Sequence, residues 1–383
     1  MPPTVTTMPP LNGLRVIDLT RVVAGPYCTM MLGDMGAEVL KIEEPEHGDD
    51  SRGWGPYING WSSFFLELNR SKKSVTLDLK KKEGAQALRR LIETADVLIE
   101  NFRPGSLAEL GFDYASASAI NLRLIYCSIS GYGQTGPHAH LPGYDAVIQG
   151  EAGIMDMTGF PDGEPTRVGV AITDYLAGLY AMQGILLALM DRERSGQGQH
   201  VDIALFDAML SVMRLPLGVL LATGTNPSRV GNDHLSIAPY ESLRAKDGYI
   251  IVAVANPRLW GRFCDAIGRP ALRDDPRFAT NTDRVTNRQV LKQELEAVFA
   301  RLTVGELTTR LQAQNVPCGR VRSMREALEH PQVKARDTLL TQQRPELTVE
   351  TLAPVVKLSR TPADVRLPPP ALGEHTKEIL EQL

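Results

Sequence analysis

The feature that most constrains the fold of this chain is the alternation of short apolar runs with helix-patterned segments near its amino end. Leu14 to Leu19 (LRVIDL) reads as a buried strand, Pro26 to Met35 as a helix beginning near a favoured first-turn proline, and Glu38 to Ile42 as a second strand. A second unit of the same kind follows, with SVTLDLK as strand, Gly84 to Thr94 as helix and DVLIE as strand, before a turn at ENFRPG. Leu124 to Ile129 adds a further apolar strand. Strands that are apolar throughout need cover on both faces, so the pattern predicts a mostly parallel α/β sheet whose ligands sit beyond the carboxyl ends of the strands.

Beyond the sheet, Leu176, Leu179, Tyr180, Met182, Ile185, Leu186 and Leu189 recur at helical spacing from Ile172 to the basic end DRERSG, which predicts a long, mostly buried helix. The stretch from Ala222 to Ser236 is rich in Gly, Asn, Ser and Thr, and the pattern then changes to the hairpin-like YESLRAKDGYIIVAV and short amphipathic helices. The expected domains are therefore a large α/β domain over 1–200, a linker over 201–226 and a small α+β domain over 227–325. A return through proline-rich segments over 326–383 then completes the first domain, ending in the short helix EHTKEILEQL.

With 43% hydrophobic and 22% charged residues in 383, the chain can bury more than one core. A formal net charge of -4 supplies no basic field for nucleic acid or an anionic membrane, so neither partner is expected. Cys28, Cys127, Cys264 and Cys318 are far apart, without CxxC pairing, and read as buried free thiols. The opening MPPTVTTMPP has neither a basic nor an apolar leader region, and no run approaches 18 uninterrupted apolar residues, so the cytoplasm is the expected compartment.

Each chemical motif competes with a bland reading. Gly131, Gly133 and Gly136 match GxGxxG after a strand, yet Pro137, His138, His140, Pro142 and Gly143 continue as a loop where a dinucleotide fingerprint would open a helix. His138 and His140 have no third ligand at metal spacing, so no metal site is expected. The chain has no GxSxG, GxxxxGK[ST] or HExxH. The run Arg70, Lys72, Lys73 with Lys80 to Lys82 is a solvated surface or a mouth for phosphates. Asp174, at the start of the long helix, either complements the helix dipole or is kept ionised by the first-turn amides as a nucleophile, and spacing does not choose between these.

Ordered blocks along nearly the whole chain resemble the class III (CaiB/BaiF-like) CoA-transferases. They include LNGLRVIDLTRVVAGPYCTMMLGDMGAEVLKIE, GDDSRGWGP, NRSKKSVTLDLK, ADVLIENFRPG, SISGYGQTGP, PGYDAVIQGEAGIMDMTG, GVAITDYLAGLYA, SGQGQHVDIALFDAML, VPCGRV and LGEHT. The resemblance implies a Rossmann-like large domain with a smaller α+β domain, in an interlocked homodimer. It implies Asp174 as the catalytic carboxylate that carries CoA from one carboxylic acid to another through an aspartyl anhydride and an aspartyl-CoA thioester. It places Val23, Ala24, Leu77, Lys80, Asn101, Phe102 and Arg103 on CoA, and Tyr144 and Asp145 at the reacting end. CoA and acyl-CoA are implied as substrates, with no permanently bound cofactor.

The formyl-CoA branch has a glutamine where Val23 stands and a glycine-rich loop not found here, whereas GNDHLSIAPYESLRAKDGYIIV resembles the branch that handles glutarate and succinate. A short dicarboxylate is expected, with Arg21, Arg52 or Arg167 for its distal carboxylate. Two alternatives stay open. An α-methylacyl-CoA racemase of similar fold needs a histidine base where Tyr144 stands, and a CoA-binding subunit without catalysis would not use Asp174.

Overall fold

The structure, a computed structural model, describes residues 8–383, so the first seven residues of the stretch read for a leader lie outside the described residues. The chain divides into two units. The first takes residues through Ile154, then Arg167–Thr225 and Lys334–Leu383; the second takes Met155–Thr166 and Asn226–Val333.

Six strands form the sheet of the first unit: β1 (Arg15–Asp18), β2 (Glu38–Glu43), β3 (Lys72–Thr76), β4 (Val97–Glu100), β5 (Ile125–Ser130) and β6 (His200–Ala204). All pair in parallel, in the spatial order β3-β2-β1-β4-β5-β6. This is a doubly wound sheet whose connections reverse direction between β1 and β4, which opens a crevice at the carboxyl ends of those two strands. The helices that bear on the site are α1 (Ala24–Asp34), α2 (Lys82–Glu93), α3 (Asp145–Glu151), α4 (Ile172–Ser195), α5 (Leu205–Val212) and α6 (Arg214–Thr223).

Successive strand residues face opposite sides of the sheet, and the two cores divide accordingly. Val16, Val39, Val97, Ile99, Ile125 and Cys127 face α1 and α4, packing on Cys28, Leu32, Ala177, Ala181 and Ile185. Ile17, Leu40, Leu98 and Tyr126 face the other way, onto Leu88, Leu91 and Ile92 of α2. Each fully buried aliphatic side chain here contributes about 1.5–3 kcal/mol. By length and composition α4 is long and apolar enough to cross a bilayer, as is the pair α5 and α6 bent by 69°. In this fold one side of α4 is buried on the first core.

The segment read as a linker, 201–226, holds most of the last sheet strand and both α5 and α6. The return segment holds an unanticipated antiparallel hairpin, Leu339–Arg344 with Leu347–Leu352. It then runs along β3: the Ser71 amide donates to the Leu367 carbonyl and the His375 amide to the Ser74 carbonyl, both at 2.9 Å.

In the second unit, Tyr240–Ala245 and Gly248–Ala253 form the expected hairpin, extended by Cys318–Arg320 into a three-stranded antiparallel sheet. Its core joins Phe263, Phe278, Leu291 and Phe299. All four cysteines are free, with Cys318 half-buried and the others buried.

Candidate active site

The crevice predicted by the strand order is present as a cavity of about 170 Å³ between the loop after β1, the turn after β4, the loop after β5 and the amino end of α4. A larger hollow of about 440 Å³ lies by Asn12–Arg15, Glu38 and Asp96 at the amino ends of the strands; of the basic run it takes in Lys73 alone, and it contains none of the residues that the resemblance places on CoA.

Asp174 lies in the first turn of α4 and lines the cavity. No cation pairs with it among the described residues. Of the two readings that the sequence left open for Asp174, one has first-turn amides keeping it ionised; its surroundings act in the opposite sense. The amino end of α4 is already taken by Asp145, whose buried carboxylate accepts from the Thr173 amide at 3.0 Å and the Thr173 hydroxyl at 2.8 Å. Its second oxygen accepts from Gln149 Nε2 at 2.8 Å, and Gln149 Oε1 accepts from the Val168 amide at 2.8 Å. Burial first, and the Asp145 charge second, push the Asp174 carboxyl from its ordinary 3.8 up to about 7.

A second wall is the loop between β1 and α1. Val22 has φ 74°, a left-handed conformation. For a β-branched side chain this costs about 1–3 kcal/mol. The Val22 amide donates to Asp49 Oδ1 at 3.1 Å. Asn101 clasps the preceding residue, accepting from the Arg21 amide at 2.9 Å and donating Nδ2 to the Arg21 carbonyl at 2.8 Å. Tyr27 meets Tyr175 edge to face with centroids 5.0 Å apart. At Gly178, one turn past Asp174, a Cβ would lie 2.7 Å from the Ala24 carbonyl, so only glycine lets α1 approach α4 this closely.

The third wall is the end of β5 and the loop after it, of which residues 129–131 and 141–144 line the cavity and the GYGQTGP run contributes Gly131 alone. That run opens no helix, in keeping with its reading as a loop. The ends of the loop are pinched together: a Cβ on Gly131 would meet Gly143 Cα at 2.7 Å.

The sequence-selected residues divide in two. Arg21, Val23, Ala24, Asn101, Phe102, Arg103, Tyr144 and Asp174 line one cavity. Arg21 lies over the Phe102 ring at 5.1 Å and pairs with Asp50 at 3.3 Å. Tyr144 is 70% exposed and free to meet a ligand. Asp145 adjoins the cavity but turns its carboxylate into α4. Leu77 is buried in the second core, Lys80 is exposed in the turn after β3, and neither lines the cavity. Arg52 is committed to Glu43 through Nε and Nη2, at 2.8 and 2.7 Å, and stacks on Phe65 at 3.7 Å. Arg167 is exposed and outside the lining. His138 and His140 are exposed, and no group of three metal-binding side chains occurs among the described residues.

Sequence reasoning missed Asp49 and Lys41. Both are buried behind the Val22 loop and joined at 2.8 Å, and Lys41 Nζ also donates to the Thr20 carbonyl at 2.9 Å. The signal was present as a lysine inside the apolar strand EVLKIE.

Comparison with known proteins points the same way. The model of CoA-transferase family III matches residues 11–376. The succinate–glutarate CoA-transferase of Agrobacterium fabrum is 42% identical over 384 residues, spanning 98% of this chain and 96% of its own. The acetyl-CoA:oxalate CoA-transferase of Acetobacter aceti is 43% identical over 332 residues, spanning 86% and 85%. The crystal structure of a CaiB/BaiF family protein from Brucella suis superposes with a TM-score of 0.89 at 42% identity, covering 98% of this chain and all of that one.

Proposed function

Because this chain belongs to CoA-transferase family III, and is thereby a class III CoA-transferase, we propose that it exchanges CoA between short dicarboxylic acids with Asp174 as the nucleophile. The observation that carries this reading is a carboxylate without a cationic partner, poised in the crevice of the sheet. The activities for which these relatives are named, succinate with glutarate and acetyl-CoA with oxalate, support dicarboxylates as the substrate class.

The chemistry follows from the carboxylate's state. The ionised Asp174 attacks the thioester carbonyl; the C–S bond breaks, CoA leaves as thiolate, and an aspartyl mixed anhydride remains. The thiolate then attacks the aspartyl carbonyl of the anhydride, releasing the donor acid and leaving an aspartyl-CoA thioester. An acceptor carboxylate repeats the sequence in reverse and departs as the new CoA thioester, restoring Asp174. A carboxyl raised to about 7 is a better nucleophile than one at 3.8, at the cost of being about half protonated at neutral pH. At the head of α4 the Ile172, Thr173 and Tyr175 amides already donate to Val170, Asp145 and Ala171, and the Gly133 amide donates to Ser130, so the Asp174, Gly131 and Tyr132 amides are the donors proposed for the developing oxyanions. Arg21 is the arginine of the expected three that lines the cavity, so it is the one proposed for the distal carboxylate.

We further propose a homodimer in the cytoplasm. Supporting the dimer, α6 has no buried residue and leaves Leu215 and Leu221 79% and 76% exposed. Four free cysteines fit a reducing compartment.

The deciding experiment is mass spectrometry of acyl-CoA products from succinyl-CoA and a panel of free acids, with wild type and Asp174→Ala side by side. New dicarboxylyl-CoA species in the wild type, reduced at least about 1,000-fold in the variant, are expected. Equal turnover by both would remove Asp174 from the mechanism.

A further inference from the structure

We infer that Lys41 and Asp49 are positioning residues of the transfer reaction, a buried clamp that holds Val22 in its left-handed conformation and so presents residues 22–24 to Asp174. The inference rests on the transferase reading above.

The sheet gives Lys41 no reason to be a lysine. In EVLKIE it falls between Leu40 and Ile42, and its side chain is fully buried. An apolar residue would fill such a position without the desolvation of an ammonium. The lysine's contacts show what it holds. Nζ reaches the Thr20 carbonyl at 2.9 Å and Asp49 Oδ2 at 2.8 Å, gripping the strand end on one side and the carboxylate that holds Val22 on the other. Asp49, also buried, accepts from the Val22 amide through Oδ1 and steadies itself on the Ser51 amide at 2.9 Å and hydroxyl at 2.7 Å.

Valine has two branches on Cβ and leaves the left-handed region unless its surroundings hold it there. Thr20 is fixed from its other side by Asp18, which accepts from its amide at 2.9 Å, and a Cβ on Gly25 would meet Thr20 Cβ at 2.2 Å. The backbone at residues 20–22 is thus tied down, while Val23 and Ala24 line the same cavity as Asp174. Val23, as the cap of α1, has no side-chain hydrogen bond to the helix, so the first amides of α1 are not closed off by a side chain. Burial opposes the Asp49 charge, but Lys41 and the Ser51 hydrogen bonds overcome it and hold the carboxyl at about 2, so the clamp is charged throughout the neutral range.

The test uses glycine's freedom at positive φ. Asp49→Ala should lower kcat about tenfold or more with little change in KM for succinyl-CoA. Adding Val22→Gly to it should restore kcat to within about threefold of wild type, while the melting temperature stays low, because glycine adopts the conformation unaided but does not neutralise Lys41. A double variant no faster than Asp49→Ala, or an undiminished Asp49→Ala, would overturn the inference. Should Asp49→Ala not fold, the charge-free pair Asp49→Leu/Lys41→Met, with and without Val22→Gly, carries the same comparison. Wild type and Asp174→Ala run alongside. If wild type transfers nothing, the transferase reading falls, and hydrogen exchange over residues 19–25 then decides the clamp: faster exchange in Asp49→Ala is expected, and unchanged exchange sinks it.

Discussion

Asp174 and Asp145 are two carboxylates at the head of one helix, and their environments set them to different tasks. Asp145 takes the Thr173 hydrogen bonds and with them the favourable end of the helix dipole. Asp174 is left with burial and a like charge, which raise it to about 7. Transfer activity should therefore climb about tenfold per pH unit below 7 and level off above it, in a kcat/KM profile with succinyl-CoA. Glu100, buried under the turn at Asn101, is also pushed up to about 7, so a midpoint alone does not identify the group. Asp145→Asn does: it keeps an acceptor for Thr173, removes the like charge from Asp174, and should move the midpoint down, whereas a profile set by Glu100 would stay in place.

The same shift has a price in stability. A carboxyl raised above its unfolded value binds its proton more tightly in the folded state, so its contribution is present at low pH and is lost as pH rises between about 4 and 7. Asp174→Asn should consequently melt higher than wild type at pH 8 and show no gain at pH 4, as followed by thermal denaturation.

Among the elements, α1 and α4 are the pair on which the site depends, and Gly178 is where they touch. Gly178→Ala would drive a methyl into the Ala24 carbonyl. We expect a loss of about 1–3 kcal/mol in a urea titration together with a drop in kcat, since the same displacement moves the cavity wall away from Asp174. Loss of stability with full activity would show that the walls move independently.

Legibility from sequence varied with how elements are buried. β1, β2, β4 and β5 are covered on both faces, so they appear as apolar runs and were readable as strands. The last strand, HVDIA, is an edge strand with one polar residue exposed and runs directly into α5 with no turn residue to mark it, so its span read as linker. The hairpin at Leu339–Leu352 alternates buried with exposed positions in a polar stretch, LLTQQRPELTVETL, where period-two patterning is thin. Asp174 was visible through its block, but the commitments of Arg52 to Glu43 and of Asp145 to Thr173 are tertiary facts. A residue type available for binding says nothing of a partner already holding it.

At the scale of the molecule, the exposed leucines of α6 call for a partner surface. A mass of twice the 42.0 kDa of one chain is expected in multi-angle light scattering at micromolar concentration, and a monomer there would remove the proposed dimer. The acceptor preference that such an enzyme shows would rest on the cavity, whose frame the first unit supplies from seven separate stretches of its chain.

One strand of the sheet has a long wait. β3 is an edge strand, and the groups that cover it arrive late: the Thr76 amide finds its acceptor, Thr376, 300 positions further on. On the ribosome, everything between β3 and Thr376 is made while that edge stays open to any passing strand. The residues that cover it therefore work as a seal, and a chain that stopped before them would carry the β3 edge bare. Translational stalling just ahead of these covering residues would therefore be more damaging to this protein than stalling before β3 is made.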